Sequence, residues 1–185
     1  MQDLDVALIT GSLRKASFSR KMGLAAARLA PPGMKVSLVE IGGMQHYNED
    51  LEADPPASFT QFRQRIGAAD AVLFVTPEFN RGMPGNLKNA IDVGSRPWGK
   101  SIWDGKPAAV ISTSPGAVGG FGAHFALRQS LSSVNVAVMP HPEAYIGGVN
   151  KMFDEAGQLT DASTRDFITD LMARFRVWID RFRGK

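Results

Sequence analysis

No cysteine occurs anywhere in the 185 residues. That excludes a disulfide framework, a thiol nucleophile and a Cys-based metal site, and it fits a reducing compartment. Histidine is almost as scarce. His46, His124 and His141 are scattered along the chain, with neither the spacing of a metal site nor an obvious nucleophile partner. No Asp/Glu pair stands out for hydrolysis. Long apolar runs are missing too, and none approaches the roughly 18 residues of a membrane span. The opening MQDLDVALITG has no basic stretch leading into an apolar one, so no signal peptide is expected and the expected location is cytoplasmic. The G-x-x-x-x-G-K-[ST] pattern is absent, which leaves triphosphate with magnesium unsupported. So is G-x-G-x-x-G, which weakens a Rossmann dinucleotide reading. Charge of one sign is limited to a net +3, much of it from Arg174, Arg176, Arg181, Arg183 and Lys185 near the end. A solvated basic face is the expectation there, with no nucleic-acid partner, because no clustered stripe or known module accompanies it.

The composition that remains is that of an ordinary globular chain, 44% hydrophobic and 21% charged, and its length suits one domain over residues 1–185. Apolar runs and alternation predict strands at 6–10, 35–41, 71–76, 107–112 and 136–140. Helical spacing predicts helices at 19–30, 58–69, 84–94, 123–134 and 160–183. The second carries Phe59, Phe62 and Ile66 inward. The last carries a core stripe of Phe167, Leu171, Phe175, Ile179 and Phe182. Alternation of this kind argues for a parallel sheet with helices on both faces. Five strands suit the flavodoxin-like order 2-1-3-4-5, an α/β three-layer sandwich whose ligand sits beyond the carboxyl ends of strands one and three.

Two polar loops stand at that place. The first, Thr10 to Arg20, supplies the hydroxyls of Thr10, Ser12, Ser17 and Ser19 and the cations Arg14, Lys15 and Arg20. The helix that follows adds free N–H groups and partial positive charge. Those are the parts a phosphate monoester needs. The second loop, TPEFNRGMPGNLKNAID from Thr76 to Asp92, is stiffened by Pro77 and Pro84. Glu78, Phe79 and Asn80 can offer backbone N–H groups and a side-chain amide along the edge of a flat ring, while Lys88 and Asn89 open the next helix and Asp92 suits a structural hydrogen bond. A third loop, STSPGAVGG, brings Ser114 and Gly116 to the same rim; alone, a glycine-rich connector of this kind is more often just a turn. His46 and Tyr47, after strand two, are near the expected mouth of the site.

These motifs, GSLRKASFSR at 11–20, TPEFNRGMPGNLKNAID at 76–92 and TSPGAVGG at 113–120, resemble in order and spacing those of the NADPH-dependent FMN reductase family, which includes chromate, quinone and azo-dye reductases. The resemblance implies FMN as cofactor, NADPH or NADH as co-substrate, and a small-molecule electron acceptor. It implies that Ser12, Arg14, Ser17 and Ser19 bind the FMN phosphate, with Arg20 beside them. Pro77, Glu78, Phe79 and Asn80 would line the isoalloxazine, and Ser114 would stand near its pyrimidine side. The chemistry would then be carried by FMN, with no catalytic residue required of the chain. The family motif reads PEYN and this chain reads PEFN, so the ring at Phe79 lacks a phenol hydroxyl. A cation at Arg81 suits an anionic acceptor, the 2′-phosphate of NADPH, or plain solvent. The resemblance also implies self-association as a dimer or tetramer, for which Trp98, Trp103, Phe121, Phe125, Leu127 and Leu131 offer either a contact surface or simply core. Arg128 and Glu143 resemble positions of inter-subunit polar contacts. The alternative class is an FMN-binding electron-transfer module without NAD(P)H turnover.

Overall fold

Short apolar runs bounded by polar loops form the strands. The computed structural model describes residues 3–183, so Lys185 of the basic C-terminal group lies outside the described residues. The strands are β1 Leu4–Thr10, β2 Met34–Val39, β3 Ala71–Pro77, β4 Pro107–Thr113, β5 Ala137–Val138 and β6 Ala144–Ile146, and the helices α1 Phe18–Arg28, α2 Ala57–Ala68, α3 Gly85–Gly94, α4 Phe121–Ser133 and α5 Ala162–Asp180. The order is β2-β1-β3-β4-β5, with every pairing parallel. This is the expected doubly wound, flavodoxin-like sheet.

The central strands β1, β3 and β4 are apolar and almost wholly buried, as strands covered on both faces must be. Alternate residues divide between two cores. Leu8, Leu73 and Ile111 face α1 and α5, which contribute Met22, Leu171 and Phe175. Ile9, Phe74 and Val110 face the α2–α3–α4 side, with Phe59, Leu87 and Leu127. In α2 the buried residues are Phe59, Phe62 and Ile66, as its spacing predicts.

Two expectations are corrected, and one left open, the place of the tryptophans, is decided. The fifth strand, predicted over 136–140, has only two residues, and the position beside β4 is completed by a separate strand, β6. Pro140 and Pro142 fall between the two and donate no ladder hydrogen bond, which ends β5 early. In α5 the buried stripe is Thr164, Ile168, Leu171, Met172, Phe175 and Ile179, while Phe167 and Phe182 are half-buried. Trp103 is core: it is fully buried and its Nε1–H donates to the Ile91 carbonyl at 2.9 Å. Trp98, by contrast, is 85% exposed. The basic face of α5 is partly paired within the helix, through Arg174–Asp170 and Arg176–Asp180. Among the described residues no helix is long and apolar enough to cross a membrane.

Candidate functional site

β1, β3 and β4 run in parallel, so the loops that leave their carboxyl ends share one edge of the sheet. A cleft of about 680 Å³ lies there, a size usual for cofactor sites. The structure brings Ser12, Arg14, Ser17, Ser19, Pro77, Glu78 and Phe79 to its walls.

One end is shaped by the start of α1. Ser17 caps that helix, its Oγ accepting from the Arg20 N–H at 3.1 Å, and Ser17 and Ser19 place their hydroxyl oxygens 3.0 Å apart. Both residues are buried. Two hydroxyls in mutual contact use one hydrogen between them and leave the other for an acceptor. Ser12 Oγ accepts from the Arg14 N–H at 3.3 Å, which folds the loop back on itself. Arg14 lines the cleft and is exposed; among the described residues no carboxylate pairs with it. A second helix start, at Pro84, Gly85 and Asn86 of α3, also lines the cleft and has no side-chain cap. Two uncapped or hydroxyl-capped N-termini around one space favour an anion.

The rest of the lining is more apolar, with Pro77, Phe79, Pro115 and Val149. Glu78 is held firmly: its Oε2 accepts from the Ala123 N–H at 3.2 Å, at the start of α4, and Oε1 faces Arg81 Nη1 at 3.5 Å. The carboxylate thereby ties the second loop to α4. Asn86 carries a buried Nδ2 with no hydrogen-bond partner. An amide donor left unpaired at a cleft wall costs free energy unless a ligand accepts from it. Hydroxyls at a helix start, apolar side chains and a waiting amide donor on one cleft have the chemistry that a flavin mononucleotide needs.

Other predicted residues stand elsewhere. The Arg20 guanidinium turns away to Glu40 in a bidentate pair at 2.6 and 3.0 Å, and it is not part of the cleft wall. The carboxylate raises the Arg20 pKa, and the same hydrogen bond holds Glu40 below the usual carboxylate range. Asn80 and Arg81 form the tip of a tight turn on the rim. Ser114 and Gly116 sit in the third loop, where Ser114 Oγ accepts from the Gly116 N–H at 3.0 Å; their neighbours Thr113 and Pro115 face the cleft instead. His46 is exposed. Arg128 donates to the Met139 carbonyl at 3.1 Å within its own chain.

The sequence reading passed over Asn86 and Thr113 at the cleft and the structural part of Asn89. Asn89 is buried. Its Oδ1 accepts from the Tyr47 N–H at 2.7 Å and its Nδ2 donates to the Gln45 carbonyl at 2.8 Å, so α3 pins the loop after β2. Asp92, expected in a structural hydrogen bond, pairs with Lys88 at 2.6 Å. For Asn86 a signal existed: a proline-led helix start directly after the second loop leaves its first residues facing whatever that loop holds.

A second groove, of about 470 Å³, runs between α5 and the segment that follows β5, lined by Met139, His141, Val177, Trp178 and Arg181. It lies apart from the two polar loops.

The sequence model of the NADPH-dependent FMN reductases matches residues 4–151. The chain is 52% identical over 179 residues to a quinone reductase of Pseudomonas putida strain KT2440, covering 96% of each. It is 41% identical over 176 residues to a 2-hydroxy-1,4-benzoquinone reductase of a Burkholderia species, covering 95% of this chain and 96% of the other. Among solved structures it is similar to the flavoenzyme NAD(P)H:(acceptor) oxidoreductase FerB from Paracoccus denitrificans, with a TM-score of 0.91 and 42% identity over 97% of this chain and 98% of that one. With a cleft between the loops of β1, β3 and β4, this chain belongs to the NADPH-dependent FMN reductase family and is an FMN-dependent oxidoreductase that takes its electrons from NAD(P)H.

Proposed function

We propose that the chain uses NADPH to reduce a quinone, with FMN held in the cleft. The observation that carries this reading is one cleft lined both by the hydroxyls of Ser12, Ser17 and Ser19 with Arg14, which suit a phosphate, and by the apolar Pro77, Phe79, Pro115 and Val149, which suit a ring. When bound, FMN accepts hydride from reduced nicotinamide and donates electrons to the acceptor. The chain's residues bind and orient. Ser12, Arg14, Ser17 and Ser19 hold the phosphate at the start of α1. Pro77 and Phe79 border the ring and exclude water. Asn86 Nδ2 supplies a donor to an acceptor atom of the ligand. Glu78 keeps the second loop against α4. No histidine is needed at the cleft, since His124 is buried and not part of its wall. A neutral flat acceptor suits the apolar wall better than a small oxyanion does, and relatives named for quinone reduction support that choice.

The same reading includes self-association. Phe121 and Phe125 on α4 are about half exposed, and with Val118 and Phe79 they leave an apolar surface beside the cleft. A second copy of the chain suits such a surface.

The test is an anaerobic visible spectrum of the purified protein. Flavin bands should bleach on adding NADPH and return faster with benzoquinone than with chromate, an azo dye or free FMN. Bands that persist with both NADPH and NADH would favour the electron-transfer module. Absence of flavin bands after soaking in FMN would remove the reading of the cleft.

A further inference from the structure

The turn at the rim of the cleft is built against steric preference. Phe79 and Gly82 exchange backbone hydrogen bonds, Phe79 N–H to Gly82 O at 2.9 Å and Gly82 N–H to Phe79 O at 3.0 Å. The two residues between them both have positive φ, 50° at Asn80 and 64° at Arg81. This is the mirror-image hairpin turn whose natural central pair is Asn-Gly. Asn80 obeys the rule and Arg81 breaks it. A bulky side chain in the left-handed region is unfavourable, and such strain persists where surroundings fix it and gathers at functional sites. The surroundings are visible. A Cβ added to Gly122 of α4 would lie 2.8 Å from the Arg81 carbonyl oxygen and 3.0 Å from Glu78 Oε2, so the turn is clamped against the helix start.

With its backbone clamped, Arg81 sends its side chain outward, where it is 88% exposed. Its pair with Glu78 is long, at 3.5 Å, so the guanidinium can exchange that partner at little cost. Glu78 and Phe79, which lead into the turn, line the cleft. The cation therefore stands two to three residues from the cleft wall and is not itself part of it. We propose that Arg81 is a specificity-determining residue that receives a phosphate group of the nicotinamide dinucleotide as it enters. A quinone brings no charge, whereas the dinucleotide brings phosphates whichever nicotinamide is used. Guanidinium is the side chain that best matches a phosphate. The proposal rests on the oxidoreductase reading above.

Arg81→Gly is the informative variant, because glycine accepts the positive φ and preserves the turn. Binding of 2′,5′-ADP and of ADP to the FMN-loaded protein is measured by calorimetry, beside KM and kcat for NADPH and NADH. The expected result is about tenfold weaker binding of at least one probe, the magnitude of one lost charge-assisted contact. The melting temperature should not fall, the loss should appear in KM rather than kcat, and added salt should affect the variant less than the parent. Arg81→Lys should recover part of the affinity. Loss confined to 2′,5′-ADP and NADPH assigns the 2′-phosphate, and equal loss with ADP and NADH assigns the pyrophosphate. Unchanged affinity for both probes overturns the proposal, as does a parent protein that binds neither. A parent that binds the probes yet is not reduced by NADPH leaves Arg81 as a phosphate contact and sinks the oxidoreductase reading instead.

Discussion

His124 is fully buried, and neither ring nitrogen has a hydrogen-bond partner. Its ring meets the edge of Tyr145 at 4.6 Å. Burial pushes its pKa down to about 4; the nearby Arg128 cation acts in the same direction and Glu143 opposes it. Burial likewise pushes the Tyr145 phenol up to about 12. The imidazole is thus neutral in the folded state wherever the protein would work. Unfolding restores an ordinary histidine near 6.5, so between about pH 6.5 and pH 4 the unfolded chain binds the extra proton. Stability contributed by the neutral ring is complete above that window and is lost as pH falls through it, by roughly 3 kcal/mol at most. Urea unfolding at a series of pH values should show this slope in the parent and a shallower one in His124→Phe. Equal slopes would assign the acid sensitivity to other groups.

Helix ends decide how much of this molecule can be read in advance. β1, β3 and β4 are continuous apolar runs, and the hydroxyl-rich and proline-stiffened loops follow them directly, so both the sheet order and the position of the cleft were legible. What was hidden depends on contacts distant in sequence. Arg20 is one more cation in a basic loop until Glu40, on the neighbouring strand end, takes it away. Asn89 is one more helical polar residue until the loop carrying Gln45 and Tyr47 closes on it. β6 has three residues, too few for any periodicity to show. Trp98 and Trp103 have the same composition signal and opposite fates, because only the second meets Phe62 and Phe74 across the sheet face. The start of α1 was legible because its cap and its proposed ligand chemistry use the same hydroxyls. That proposed dual use carries a prediction. Ser17→Ala removes the Oγ that accepts from the Arg20 N–H and should cost about 1 kcal/mol of stability. It also removes a hydroxyl from the anion end, so FMN should dissociate several-fold more readily on dilution. Lowered stability with unchanged FMN affinity would confine Ser17 to capping.

Beyond single elements, the face that joins α4 to the cleft is the least finished part of the surface. Phe121 packs tilted against Phe125 at 4.6 Å and against Tyr145 at 5.4 Å, yet both phenylalanines remain about half exposed. Aromatic groups already ordered by their neighbours lose little further entropy on association, which makes such a cluster an effective centre for a contact between copies. The start of α4 is tied to Glu78, so a contact made there also steadies the loop proposed to border the flavin ring. Phe125→Glu places a charge in the middle of the cluster without disturbing Leu127 and Leu131, which face the core. Sedimentation velocity across a dilution series should show the parent as a dimer or larger species and the variant dissociating at protein concentrations at least about tenfold higher, as expected for a centrally placed aromatic residue. FMN should also leave the variant faster if the contact steadies the second loop. A variant that sediments like its parent would mean that these phenylalanines face solvent in the assembled molecule, and the association surface would then have to be sought elsewhere on the chain.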